Sequence, residues 1–372
     1  QQGFMYVQRH LPPEKANKVL ALKMRGVFSE TEYRRFYPAS EVTSHVVGMT
    51  NIDGKGQEGL ELAYEDWLQG TSGQQRVVKD LLGNVIKQLN VSAVAEPGND
   101  LKLTLDLRLQ YLAYRELKAV VQAHKANWGS AVLLDARNGD ILALVNRPSY
   151  NPNNRATLHA KDMRNRALTD MVEPGSTMKA FTVAAALKQG KYKADSIVNT
   201  SPGYMRIKHK TIRDHRDYGR LDLTGIIRKS SNIGVTKLAH DMGAEYLWSM
   251  LHDAKLGQAT ALGFPGEAVG HLPYPQKLDK LGLATLSYGY GLSVTPLQLA
   301  QAYTAFANHG CVQEARLILT NAQTPCEQIM PAAVAKDMSE MLETVTQKGG
   351  TGTRAKVEGY RVGGKTGTSH KV

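Results

Sequence analysis

Ser176 and Lys179 stand three residues apart in the stretch Glu173-Pro174-Gly175-Ser176-Thr177-Met178-Lys179. A serine hydroxyl is a poor nucleophile until a nearby base takes its proton. A lysine amine can serve as that base when partial burial and neighbouring cations lower its pKa. Pro174 and Gly175 suit a chain turning into a helix, and Pro is favoured near the first helical position. Thr177 to Leu187 is rich in helix-favouring residues, and Gly190 sits where a C-terminal stop belongs. On such a helix positions i and i+3 share a face, so hydroxyl and amine point the same way. The helix start adds free N–H groups and a positive dipole end, which favour an anion forming there.

Ser-x-x-Lys alone is a weak signal, because a helix-capping serine and an exposed lysine produce it too. Two further motifs change its weight. Ser230-Ser231-Asn232 and Lys365-Thr366-Gly367-Thr368 follow it, in that order and well separated. Together the three are the signature of penicillin-binding proteins and serine β-lactamases.

Positioning these motifs takes a mixed α+β chain. Pro12, Pro13 and Glu14 lead into a helix through Leu20 and Leu22. Gln1 to Val7 read as the middle of a strand. Gly56 to Glu61 opens a helix that stops at Gly70, and two strands flank a turn at Gly83. Arg34, Arg35, Glu58, Arg76 and Asp80 are expected in ion pairs that fix one segment against another. Val91 to Asp100, with Pro97 and Gly98, reads as a domain boundary. Beyond it, Leu101 to Leu105 alternates like a strand, and Asp106 can cap a helix with an apolar face at Leu109, Leu112, Leu117, Val120 and Val121. Ser130 to Asp135 and Ile141 to Asn146 read as a hairpin joined by Ala136-Arg137-Asn138-Gly139-Asp140. Thr295-Pro296 opens another helix, Pro331 to Thr346 is amphipathic, and Tyr360 to Gly367 reads as a strand carrying the last motif.

The chain of 372 residues is long enough for two domains. Its composition is that of a globular protein, neither disordered nor fibrous. Its formal charge of +12 fits either a solvated basic surface or attraction to an anionic membrane or cell-wall polymer. No basic helix, zinc motif or aromatic–basic RNA signature points to nucleic acid. There is no apolar run of about 18 residues to span a membrane, and no secretory leader at the start. Cys311 and Cys326 bracket a potential hairpin and are either a disulfide or two free thiols. No His/Cys cluster has metal-ligand spacing, and no metal or cofactor is expected.

The motifs resemble those of the class B penicillin-binding proteins, which are peptidoglycan D,D-transpeptidases. The resemblance covers essentially the whole chain. It is carried also by Arg34-Arg35-Phe36-Tyr37-Pro38, His45 to Asn51, Lys229 to Gly234 and Tyr288 to Gln298. Gly56 to Glu61 and Gly289-Tyr290-Gly291-Leu292 match the division-specific branch more closely than the elongation branch. The resemblance implies residues 99–372 as a transpeptidase domain, a five-stranded antiparallel sheet flanked by helices and lacking its last strands. Residues 1–98 would be part of a pedestal domain, without its first segment and membrane anchor.

By the same resemblance Ser176 attacks the carbonyl between two terminal D-alanines of a peptidoglycan stem peptide, and Lys179 takes its proton. Backbone N–H groups of Ser176 and Thr368 form the oxyanion hole. Ser230 relays a proton to the leaving D-alanine, and Asn232 holds the substrate amide and orients Lys179. Lys365, Thr366, Gly367 and Thr368 bind the terminal carboxylate. Tyr288 and Tyr290 are either walls of the cleft or packed core aromatics. The implied partners are stem peptides ending in D-Ala-D-Ala, β-lactams, and divisome proteins including a membrane glycan polymerase. The implied place is the periplasmic face of the inner membrane. Two other readings use the same motifs: a hydrolase (β-lactamase or D,D-carboxypeptidase), and a non-catalytic β-lactam sensor or division scaffold. The pedestal-like start argues against a β-lactamase, and the intact motif residues argue against a dead enzyme.

Overall fold

The computed structural model describes residues 5–81, 85–260, 262–322 and 325–368. The chain divides into one unit of residues 1–100 with 149–163, and a second of residues 101–148 with 164–372.

The first unit holds a helix Pro13–Leu20, a short strand pair Met49–Thr50 with Gly56–Glu58, and a longer antiparallel pair Gln74–Lys79 with Val85–Ala93. The expected turn at Gly83 lies outside the described residues. So do Gln1 to Phe4 of the expected first strand, and Met5 to Val7 carry no strand. Residues 149–163 belong to this unit because their polar groups are used there. The Asn153 side chain accepts from Tyr37 N (3.0 Å) and donates to Tyr37 O (2.9 Å). The Tyr150 hydroxyl donates to Ser44 O (2.9 Å), and His45 Nε2 donates to Asp162 O (2.8 Å). Of the charged residues expected in ion pairs, Arg35 pairs with Glu61 (3.1 Å), whereas Arg34 bonds the carbonyl of Asn153 (2.6 Å). The contacts cut the chain after Asp100 and add a second passage, residues 149–163, that no composition shift announces.

The second unit is α+β. Its longest ladder is the hairpin Gly129–Leu134 with Ile141–Arg147. Asp106 caps the helix Leu107–Ala123 by accepting from Arg108 N, the role its type and position suggest. Gln110 on that helix is fully buried and bonds both the N–H and the C=O of Leu144, tying helix to hairpin at 2.8 Å each way. A single bridge, Asp140↔Arg316, joins the hairpin's end to a later passage of chain, and a second, Leu103↔Ile318, joins that passage to the segment before the helix. Leu101 to Leu105 is therefore one bridge rather than the expected strand. Tyr360 to Gly367 is not a strand either. Its polar groups are taken by the helix Ala332–Thr346: Gly364 N donates to Leu342 O (3.2 Å), and Thr346 Oγ1 donates to Val362 O (2.7 Å). Of the expected five-stranded sheet, the described residues contain this hairpin and its bridges.

The core of the unit forms around the helix Lys179–Lys188, in which every residue but Lys188 is buried. Its sequence lacks a polar face, which is the pattern of a helix covered on all sides. Its alanines let the surrounding helices approach, among them Leu223–Lys229, Asn232–Met242, Ala244–Asp253 and Ala332–Thr346. Phe181 meets Tyr303 edge-on at 5.4 Å and Phe306 at 4.9 Å. Both partners lie on the helix Pro296–Ala307, whose start is fixed by a capping box between Thr295 and Gln298. Cys311 and Cys326 form a disulfide across the small hairpin Cys311–Gln313 with Cys326–Gln328, which decides between the two readings the sequence left open.

Candidate active site

Ser176 lies in a tight 3-10 turn, Gly175–Met178, that runs straight into the buried helix. The sequence suggests a continuous helix; the tighter first turn keeps the three-residue spacing to Lys179. Gly175 has φ +56°, and a Cβ there would lie 2.4 Å from Thr368 O. Gly289 has φ +90°, and a Cβ there would lie 1.9 Å from Gly175 O. Only glycine fits either place, on both conformational and steric grounds. The turn is held by Gly175 N donating to Gly289 O (2.9 Å), Thr177 Oγ1 to Pro174 O (2.8 Å) and the Tyr303 hydroxyl to Thr177 O (2.7 Å). Among the described residues the Ser176 hydroxyl has no hydrogen-bond partner, and the Lys179 amine bonds Ser230 instead.

The Lys179 side chain is 1% exposed. Its amine donates to Ser230 O (2.5 Å) and Ser230 Oγ (3.0 Å). Burial first, and the charge of Lys365 second, push its pKa well below that of an ordinary lysine, while Asp214 pulls it back up. Ser230 ends the helix Leu223–Lys229 in the left-handed region, φ 57° and ψ 46°. A non-glycine residue rarely sits there, and such strain persists only where the surroundings enforce it. Here the hydroxyl also accepts from Lys365 Nζ at 2.9 Å. Two amines thus meet on one oxygen, and two like charges that close disfavour the doubly protonated state. Burial lowers the Lys365 pKa to about 8.

Asn232 opens the helix Asn232–Met242, and its Nδ2 donates to Arg213 O (2.8 Å). No bond between Asn232 and Lys179 is present among the described residues, so the expected orienting contact is replaced by Ser230. Asp214, which the motifs do not include, organises this corner. Its carboxylate accepts from Ser231 Oγ (2.5 Å), Asn232 N (2.6 Å) and Ile233 N (3.1 Å). It is a carboxylate at a helix N-terminus, where the free N–H groups favour an anion. It lies in a charged run, Arg213-Asp214-His215-Arg216-Asp217, without periodicity or a motif offset that would single it out.

The last motif reaches the same place. Thr368 O accepts from the Tyr290 hydroxyl at 3.1 Å, and Thr366 Oγ1 donates to Thr351 Oγ1 at 2.9 Å. A Cβ at Gly367 would lie 3.0 Å from Pro174 O, so this segment passes directly over the start of the serine turn. Tyr288 is buried and meets Tyr290 edge-on at 5.7 Å. Burial raises its pKa to about 12. Tyr288 is thus a packed aromatic, and Tyr290 is the one that touches the last motif. Glu173, which has no place in the three motifs, accepts from Gly291 N (2.9 Å) and joins the glycine–tyrosine loop to the serine turn.

Residues 129–372 match the family described as the penicillin binding protein transpeptidase domain, and residues 1–103 that described as the penicillin-binding protein dimerisation domain. Two similar curated proteins are the probable peptidoglycan D,D-transpeptidase PbpC of Pseudomonas aeruginosa and the peptidoglycan D,D-transpeptidase FtsI of Escherichia coli. Each is 42% identical over 369 residues, 99% of this chain. The chain spans 65% and 62% of their lengths. Among solved structures, the apo transpeptidase domain of Burkholderia pseudomallei penicillin-binding protein 3 has TM-score 0.68 and 40% identity, over 74% of this chain and 80% of that one. A putative peptidoglycan glycosyltransferase from Atopobium parvulum has TM-score 0.81 and 26% identity, over 91% and 78%.

Proposed function

The chain belongs to the penicillin-binding protein transpeptidase family, and from that premise we propose that it carries the catalytic site of a peptidoglycan D,D-transpeptidase of the division-specific kind. The observation that carries the reading is a single hydroxyl, Ser230 Oγ, held between a buried amine and a second one. Lys179, whose amine is pushed toward its neutral form by burial first and by the charge of Lys365 second, takes the Ser176 proton as the hydroxyl attacks the carbonyl before the last D-alanine. The backbone N–H groups of Ser176 and Thr368 receive the oxyanion; preset donors of this kind typically carry much of the rate. Lys179 passes the proton through Ser230 to the leaving amine. Asn232 holds the substrate amide through its Oδ1, because its Nδ2 is engaged by Arg213. Lys365, with Thr366, Gly367 and Thr368, binds the terminal carboxylate, a charge-assisted contact. Tyr290 touches the same segment through Thr368 O. An acceptor amine from a second stem peptide then resolves the acyl-enzyme into a cross-link, and a β-lactam is held as a persistent adduct.

We place the protein at the periplasmic face of the inner membrane, where a disulfide persists. Among the described residues no helix is long and apolar enough to cross a membrane. Residues 1–98 would act as a pedestal toward divisome partners. Replacing Ser176 with Ala is expected to abolish covalent β-lactam labelling; a stoichiometric adduct on any other residue would overturn the assignment.

A further inference from the structure

The antiparallel hairpin Tyr204–Ile207 with Lys210–Arg213 packs one face into the core, with Ile207 and Ile212 buried. Register places Tyr204 opposite Arg213 and Arg206 opposite Thr211 on the other face, and all four are exposed. The Arg213 guanidinium lies 5.4 Å over the Tyr204 ring. Residues 204–220 contain six Lys and Arg against two Asp.

Most of that positive charge is unmatched. Lys208 pairs with Asp279. Among the described residues Arg206, Lys210, Arg213 and Arg216 have no acidic partner. The nearest carboxylate in sequence, Asp214, is engaged by Ser231 and the N–H groups of Asn232 and Ile233. Arg213 O accepts from the side chain of Asn232. This cationic face therefore begins one residue from a group of the proposed substrate site. An exposed guanidinium is weakly hydrated and planar, which suits a carboxylate better than an ammonium would.

We propose that the outer face of this hairpin, with Arg206 and Arg213, is a carboxylate-binding edge that selects acidic peptides beyond the terminal carboxylate held at Lys365. The proposal rests on the transpeptidase reading and deepens it. It separates two recognition events: Lys365 takes the end of the peptide, and the hairpin takes acidic side groups further along.

The test uses the full chain, the double variant Arg206→Gln with Arg213→Gln, and Arg206→Gln alone. Two peptides ending in D-Ala-D-Ala, identical except that side-chain carboxylates are free in one and amidated in the other, are followed by D-alanine release. Acylation by benzylpenicillin is measured alongside. The double variant is expected to lose roughly tenfold in kcat/KM on the acidic peptide, a figure set by two solvent-screened pairs. Arg206→Gln alone is expected to stay within about twofold on the amidated peptide and on penicillin. Arg206→Gln alone, which leaves the Asn232 contact untouched, is expected to give part of the same selective loss. Added salt is expected to erase the preference of the unaltered chain for the acidic peptide. An equal loss on both peptides, or no loss on either, overturns the proposal. So does a loss confined to binding of anionic lipid vesicles, which would assign the face to a membrane surface. Failure of the unaltered chain to react with penicillin or either peptide would instead remove the transpeptidase reading, and this proposal with it.

Discussion

At the residue scale the site is a set of charges arranged around one hydroxyl. Lys179 acts as a base only when neutral, so acylation is expected to fall as pH drops through its depressed pKa. Asp214 holds that pKa higher than burial and Lys365 alone would leave it. Asp214→Asn keeps an acceptor for the Asn232 N–H and removes the charge. The acid limb of the acylation profile is therefore expected to move to lower pH. If Asp214 only capped a helix, the plateau would drop and the limb would stay in place. At the other end, Lys365 loses its charge as pH rises through about 8. The kcat/KM for a carboxylate-bearing peptide is then expected to decline above that point. Lys365→Met should abolish this limb and lower kcat/KM by roughly tenfold to a hundredfold, the range of a hydrogen bond to a charged group. The three motifs were legible because each is a short run with fixed chemistry. Asp214 was not, because its partners Ser231 and Asn232 lie 17 and 18 residues away. Only the fold makes them neighbours.

At the scale of elements, the site is positioned by backbone packed on backbone. The turn carrying Ser176 lies against Gly289 on one side and Thr368 on the other. Gly289→Ala would force a methyl into the Gly175 carbonyl at a positive φ. Acylation is expected to collapse and the melting temperature to fall, since both strain and overlap rank among the more costly point changes. Retained acylation would mean that the turn is not set by this contact. Helices were readable where a cap residue opens them, as with Asp106 and Thr295. The Lys179–Lys188 helix was readable as helix, but its burial on every side shows only as the absence of a polar face. The expected strands at Leu101 to Leu105 and Tyr360 to Gly367 did not form, because a strand needs a neighbour's free N–H and C=O groups. The first segment meets its partner at one bridge, and the second gives its polar groups to a helix. Residues 149–163 could not be allotted from sequence, since their place depends on side-chain bonds to residues more than 100 positions earlier.

At the scale of the molecule, the chain carries a disulfide and a strong positive charge. Cys311 and Cys326 are separated by 15 positions. Closing a loop of that size is worth at most about 3 kcal/mol through the unfolded chain. Replacing both with Ser is therefore expected to lower the melting temperature by roughly 5 °C. The acylation rate should hold, because the small hairpin contributes no residue to the site. An unchanged melting temperature would show that the bridge constrains little. The excess of cations fits anionic polymer or membrane surroundings, and the Tyr204–Arg213 hairpin is one place where that charge faces outward beside the site. The central claim is that Ser176 forms a slow-clearing acyl-enzyme. Its most direct test is intact mass of the protein during hours after brief exposure to a penicillin, with the modified residue mapped by digestion. One adduct per chain is expected, on Ser176, persisting after free drug is removed. An adduct that clears within minutes while the drug is consumed would make the protein a hydrolase rather than a transpeptidase.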